Sequence, residues 1–319
     1  MTTGDLRYSY GPVPSRRLGK SLGVNNIPAK VCTYACIYCQ VGRTTKMQID
    51  RGVFYEPVNI FRDVQFRLAK AHAAAEQVDY LTFVPDGEPT LDANLGREIK
   101  LLKTLEVPIG VITNSSLMGC ADVREELSAA DWVSLKIDAV GEAIWRQMNR
   151  PHKSLQLFAI LDGMLEFADA FAGKLVTETM LVRGINESDD HIREIADFVS
   201  KLQPDTAYLS IPTRPPAERW GRAPDEERIN RAYQAFSEKV ECVEYLIGYE
   251  GDAFAYTDDI EKDILSITAV HPMRKEALSR LLSRAGAAWG LVDRLVAGGD
   301  LTVSEYEGHQ FYLRRFNKV

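Results

Sequence analysis

At 319 residues, 45% hydrophobic and 26% charged, the chain has the make-up of an ordinary globular protein, with a core large enough to need no disulfide staples. No apolar run approaches the ~18 residues of a membrane span, and Met1-Thr2-Thr3-Gly4-Asp5 lacks the basic-then-apolar progression of a secretory signal. The net charge of −7 argues against indiscriminate coating of nucleic acid, although residues 273–319 hold eight Lys or Arg against five Asp or Glu, a mildly basic tail on an acidic body.

In chain order, residues 10–19 read as a Pro- and Gly-punctuated loop. Its adjacent Arg16 and Arg17 are either a solvated pair or an anion clamp, because guanidinium suits planar carboxylate and phosphate recognition. Residues 21–25 form a first short strand. Helical spacing then covers 58–75, 95–105, 121–129, 154–170 and 189–202, alternating with strands at 80–84, 108–113, 132–137, 175–182 and 208–211. Six strands alternating with helices indicate βαβ units and a parallel sheet. The eight-stranded barrel takes about 250 residues, so an α/β partial, open (β/α)6 barrel fits better.

After residue 211 the pattern changes. A polar helix at 225–239, a peripheral strand at 242–247 and a short helix at 260–267 complete a first domain, residues 1–268. Residues 269–319 read as a small domain: helices at 275–284 and 288–297, then strands at 301–306 and 310–313 around Glu307-Gly308, a hairpin signal. Helices followed by a hairpin resemble a winged helix-turn-helix.

The chemistry concentrates at Cys32-Thr33-Tyr34-Ala35-Cys36-Ile37-Tyr38-Cys39, where three of the five cysteines fall within eight residues. So short a loop can turn three thiolates toward one point, and thiolates take zinc or the iron of iron–sulfur clusters. A structural zinc site usually draws on four protein ligands. Cys120 and Cys242 are isolated, the first read as a small buried residue and the second as a strand residue, and no histidine lies near the triplet. Three thiolates can instead hold three irons of a cubane cluster and leave the fourth iron open. Clustered cysteines of this kind favour metal binding in a reducing cytoplasm over a disulfide framework.

Three further elements sit where strands end, the ligand side of an α/β sheet. Gly87-Glu88-Pro89 follows the second strand. Thr113-Asn114-Ser115-Ser116 closes the third, either as donors and acceptors for a ribose and carboxylate or as a helix N-cap. On the fourth strand Ser134, Lys136 and Asp138 share one face, and Val133, Leu135 and Ile137 the other. The polar set should face the barrel interior, where a lysine is costly unless paired or used. Asp138 is one partner for it; binding a carboxylate or forming a Schiff base are the functional alternatives. On the next strand Thr177, Glu178 and Thr179 follow no clear alternation; Arg183 and Asn186 close that strand and Arg214 follows the sixth, each either at the ligand side or on the surface.

The CxxxCxxC spacing with an aromatic before its last cysteine resembles the signature of the radical S-adenosylmethionine (SAM) superfamily. The stretch Gly11-Pro12-Val13-Pro14-Ser15-Arg16-Arg17-Leu18-Gly19, with Gly-Glu-Pro-Thr-Leu downstream, resembles its wyosine-synthase-related branch over roughly residues 8–250. That resemblance implies an enzyme in which Cys32, Cys36 and Cys39 hold one 4Fe-4S cluster. Gly87, Glu88 and Pro89 would lie at the methionine amino group of SAM, Tyr38 would line the adenine through its backbone, and Asn114 and Ser115 would contact the cofactor. Reductive cleavage of SAM then gives a radical on a substrate, with Lys136 and Asp138 as catalytic candidates. A flavodoxin or ferredoxin is the implied electron donor, and RNA or protein the implied substrate of the C-terminal domain, with no membrane partner. Two departures stand out: Asp86 replaces the first glycine of the family's Gly-Gly-Glu, and no cysteine precedes Cys32, so the second cluster of true wyosine synthases has no ligands here. The competing reading is an iron–sulfur redox-sensing regulator that binds nucleic acid through its tail.

Overall fold

The computed structural model describes residues 8–247, 254, 256 and 259–315. The extreme N-terminus, read above as free of a signal, and residues 316–319 of the small domain lie outside them. Residues 10–19, expected as a loop, instead contribute strand β1 (Ser9–Ser15), which lies antiparallel on β2 (Gly19–Val24). Pro12 and Pro14 mask it in the sequence, but an edge strand tolerates proline because its outer N–H groups need no ladder partner. Gly23 admits the ring of Tyr10 against β2, since a Cβ there would lie 2.1 Å from that ring.

The short strands β3 (Val31–Cys32) and β4 (Lys46–Met47) pair with each other, and α1 (Pro57–Ala73) follows. Proline at its N-terminus and Ile60, Val64, Leu68 and Ala71 on one buried face account for α1. Then come β5 (Tyr80–Phe83), α2 (Leu95–Leu102), β6 (Ile109–Thr113), α3 (Ala121–Leu127), β7 (Trp132–Lys136), α4 (Glu142–Met148), α5 (Leu157–Ala170), β8 (Lys174–Met180), α6 (Asp189–Leu202), β9 (Thr206–Ser210), α7 (Glu226–Ser237) and β10 (Val243–Leu246). Ser188 caps α6 by accepting the His191 N–H, and Asp189 and Asp190 favour its positive end. The two-turn α4 is too short to register as a period, and the expected last turn of α2 is a 3-10 turn, residues 103–105.

One eight-stranded sheet runs β1-β2-β5-β6-β7-β8-β9-β10, parallel everywhere except at β1. This is a partial barrel with β1 and β10 added to the six expected strands; β10, read as peripheral, pairs in parallel with β9. Its outer face, with Leu81, Val111, Val133 and Leu135, packs under Ile60, Ile99, Ile160 and Val199 of the helices in one apolar core. The polar residues Ser21, Thr82, Ser134, Glu178 and Ser210 are buried away from that core.

After the barrel, α8 (Ile260–Val270), β11 (Met273–Arg274), α9 (Lys275–Arg284), α10 (Gly290–Ala297), β12 (Leu301–Tyr306) and β13 (His309–Arg314) enclose a second core. Its sheet order is β11-β13-β12. Ile264 and Ile267 of α8 belong to this core, so the change of core falls ahead of the boundary expected at residue 269. The two units are joined by a buried ion pair, Arg67 Nη1 to Asp263 Oδ1 at 3.2 Å. Among the described residues no helix is long and apolar enough to cross a membrane.

At the foot of α2, Asp92 and Glu98 are fully buried neighbours. Burial, with the Asp92 charge adding to it, pushes Glu98 well above the usual carboxylate range. The unfolded carboxyl ionises first as pH rises, so this group lowers stability progressively above about pH 4.5. Glu98→Gln is expected to raise the thermal midpoint by about 2–4 °C at pH 8 and to leave it unchanged at pH 4, as read by calorimetry at both pH values.

Candidate active site

The cysteine loop has almost no regular structure, and its neighbours hold it by main-chain bonds. Glu88 N–H donates to Val31 O (3.2 Å), Ala35 N–H to Asn149 O (3.0 Å), Ile37 N–H to Met148 O (3.0 Å) and Glu218 N–H to Ile37 O (2.9 Å). Ile37 is buried among Met148, Met180, Val182 and Ile185. Gly87 has to be glycine because a Cβ there would sit 2.0 Å from the Val31 carbonyl oxygen. The Gly-Glu-Pro turn and the cysteine loop are thus built on each other.

All three thiols are free. Burial pushes Cys36 up to about 12 and raises Cys32 and Cys39 as well. Thiols so placed become thiolates only with a compensating cation, which a soft metal supplies. The Asn114 amide donates to Cys32 Sγ (3.4 Å) and the Asn149 amide to Cys36 Sγ (3.6 Å), contacts of the kind that tune cluster sulfurs. Among the described residues no three His, Cys, Asp or Glu side chains converge on a single metal ion. A cubane asks for something else, one thiolate on each of three irons, and the residues present fit it. Cys120, expected to be buried, is exposed as the residue before α3.

Glu88 is a brace. Its Oε1 accepts from the Thr90 and Thr113 hydroxyls (2.6 Å each) and its Oε2 from Asn114 N–H (2.7 Å), tying the ends of β5 and β6 together. Burial raises its carboxyl and those hydroxyls oppose the rise. Pro89 begins a buried 3-10 turn. Asn114 and Ser116 both reach the Thr33 hydroxyl (2.8 and 2.7 Å), and the Ser115 hydroxyl accepts Lys136 N–H (2.9 Å). The N-cap alternative for residues 113–116 fails, since Cys120 occupies that position of α3. Asp86, in the place of the family glycine, is buried and paired with Lys30 (2.9 Å); burial pushes its carboxyl up to about 6, and Lys30 opposes it.

The polar face of β7 points inward as expected, but its pairing differs. Lys136 is bound to Glu178 (Nζ–Oε1 2.7 Å), its in-register partner on β8, and not to Asp138. Arg17 takes the other oxygen of Glu178 (2.6 Å), and the Ser210 hydroxyl donates to the first (2.9 Å). Burial would raise the Glu178 carboxyl, but the charges of Lys136 and Arg17 outweigh it and hold Glu178 well below the usual carboxylate range. Asp138 instead accepts from the Tyr38 hydroxyl, from the Asn149 amide (2.7 Å) and from Met180 N–H (2.9 Å). The ammonium of Lys136 lies 5.1 Å from the centre of the Tyr38 ring. The Tyr38 side chain therefore joins the cysteine loop to the polar interior. Asn186 is a buried brace on Asp138 O and Met180 O.

Beside this network lies a cavity of about 160 Å³ lined by Arg16, Arg17, Gln40, Glu178, Ser210 and Arg214, and reaching His271 of the C-terminal unit. Gln40 follows Cys39 directly, so the cavity borders the cysteine loop. Arg214 donates to Gln40 Oε1 (2.9 Å) and faces His271 Nε2 (3.0 Å). The Glu178 bridge and the role of Arg214 were not legible beforehand; the only signal for Glu178 was a charged residue in a buried strand.

A family model described as the radical SAM superfamily matches residues 26–199. A UPF0026 protein of Methanocaldococcus jannaschii is 45% identical over 97% of this chain and 96% of its own. A protein of Picosynechococcus described as a probable dual-specificity RNA methyltransferase RlmN is 24% identical over 70% of this chain and 63% of its own. Among solved structures, TYW1 with a lysine–pyruvate adduct bound has the same fold, with a TM-score of 0.54, at 17% identity over 69% of this chain and 74% of that one.

Gly87→Ala is expected to displace the cysteine loop through its clash with Val31 O and to cut the iron and sulfide retained after anaerobic reconstitution at least about twofold, as read by metal and sulfide analysis.

Proposed function

The chain belongs to the radical SAM superfamily, and on that premise we propose an enzyme that uses a single 4Fe-4S cluster to act on a substrate held in the barrel cavity. The observation that carries this reading is the contiguity of the cysteine loop and a polar cavity: Gln40, next to Cys39, lines the cavity, and the Tyr38 ring lies near Lys136, the ion-pair partner of the cavity's Glu178. When bound, the cluster and SAM supply a one-electron cleavage that yields a radical. Cys32, Cys36 and Cys39 would hold the cluster, with the Asn114 and Asn149 amides on two of the sulfurs. One cluster is supported by the sequence, which has no cysteine before Cys32 and two distant ones after Cys39. Gly87, Glu88 and Pro89, with Asn114, Ser115 and the Tyr38 backbone, are the proposed SAM contacts. Glu88 and Ser115 would act mainly by fixing neighbouring backbone, since their side-chain oxygens are engaged within the protein.

Lys136 and Asp138 do not line that cavity but, placed beside it behind Glu178 and Tyr38, are proposed as groups that orient substrate or hold a proton. Lys136, charged and paired with Glu178, suits an anchoring role; it would need release from Glu178 before acting as a nucleophile. Asp138, with its carboxyl raised by burial, is the better proton holder. A nucleoside of RNA is the proposed substrate, supported by the name of the RNA methyltransferase relative. The helix–strand–helix–helix–hairpin order of the C-terminal unit supports reading it as a winged-helix-like domain. Its hairpin touches the barrel, Tyr306 donating to Pro212 O (3.1 Å), so a substrate-covering role suits it at least as well as free RNA binding. A small acidic flavodoxin or ferredoxin fits the exposed Arg43 and Arg150, which pair with Glu218 beside the cysteine loop. The redox-sensor alternative is not favoured, because a sensor needs neither the barrel cavity nor its ion-pair network.

Anaerobically reconstituted protein given dithionite and SAM is expected to release 5′-deoxyadenosine or another SAM cleavage product, and Cys36→Ala to lose that turnover by at least about 100-fold. Chromatography of the quenched reaction checks both; no cleavage by loaded protein would end the enzyme reading.

A further inference from the structure

We infer that the barrel cavity binds its substrate through an oxyanion group, a phosphate or a carboxylate, seated on Arg17. This rests on reading the cavity as the substrate chamber. Among the described residues its lining has three guanidinium groups, Arg16, Arg17 and Arg214, against the single carboxylate Glu178, in a chain whose net charge is −7. That carboxylate is doubly bound, by Arg17 at 2.6 Å and Lys136 at 2.7 Å, so two cations share one anion. The strong depression of Glu178 described above is the mark of a positive field at this spot.

Arg17 also keeps a donor in reserve. Its Nε is buried and makes no hydrogen bond, although its Nη1 is bound to Glu178. A buried guanidinium N–H without an acceptor is costly, and an incoming oxyanion would satisfy it with the two-pronged geometry that guanidinium favours. The ring of Trp132, 5.9 Å from the guanidinium carbon, backs Arg17 and limits where it can swing.

Size narrows the class further. About 160 Å³ is below the 300–1,000 Å³ usual for drug-sized ligands, so the chamber takes a small anionic molecule or the anionic end of a larger one. Ser15, Thr82, Ser210 and Thr213 offer hydroxyls around the same space. Glu178 then acts as an internal competitor: it holds Arg17 and Lys136 in place when the chamber is empty and yields part of their charge to the substrate.

The test is calorimetric titration of the cluster-loaded, SAM-free full chain with inorganic phosphate and, separately, with acetate. At least one is expected to bind, and the stronger of the two identifies the oxyanion. Arg17→Gln is expected to weaken that binding at least about 10-fold, whereas Glu178→Gln, which frees Arg17 and Lys136, tightens it about 3-fold or more. Arg16→Gln, at an exposed position, is expected to weaken it about 2-fold to 5-fold. Arg193→Gln on the outer face of α6 should leave it unchanged. Binding of neither anion, equal binding by wild type and Arg17→Gln, or shifts of the same sign in Arg17→Gln and Glu178→Gln would each overturn the inference. SAM cleavage is scored on the same preparation, so a chamber that ignores anions in a cleavage-competent protein refutes this inference and spares the enzyme reading.

Discussion

A loop with three cysteines in eight residues cannot hold its own shape: it has almost no internal ladder, and its half-buried thiols sit where charge is costly. Its geometry is imposed by main-chain hydrogen bonds from three other segments, at Glu88, at Met148 and Asn149, and at Glu218. Each segment follows a different barrel element, so the loop is ordered only once the barrel has closed around it. Gly87 marks the tightest point, where only the absence of a side chain allows two backbones to meet.

The barrel interior obeys a second constraint. Buried polar groups need partners, and here most find them in two linked sets, the Arg17 Nε excepted. One joins Arg17, Lys136, Ser210 and Glu178; the other joins Tyr38, Asn149 and Asp138. The Lys136 ammonium near the Tyr38 ring brings the sets together. Removing one member of a buried ion pair typically costs about 3–5 kcal/mol, because the partner is left charged and unpaired. The same networks that shape the cavity therefore contribute to holding the barrel closed. The C-terminal unit adds a third contact set through Arg67–Asp263, Tyr306 and His271, so it covers the barrel and is not merely tethered to it.

Much of this was legible from local pattern. Alternation on β7 correctly turned Ser134, Lys136 and Asp138 inward, because strand geometry alone sends successive side chains to opposite faces. The Gly-Glu-Pro turn falls, as its spacing implied, at the carboxyl end of β5. What local pattern could not supply was register and contact. That Lys136 faces Glu178 and not Asp138 follows from how β7 pairs with β8. That Arg17 reaches the interior follows from β1 and β2 folding back as a hairpin, hidden by two prolines.

By itself, then, the sequence determined the alternating βα architecture, the thiolate triplet and the inward polar face, since each depends on spacing along one segment. Only the tertiary structure decided which charges neutralise one another, that Glu88 braces two strand ends and that Arg17 and Arg214 meet around one cavity. Those outcomes depend on residues far apart in the chain, and their energies arise only when burial removes the water that would otherwise screen them.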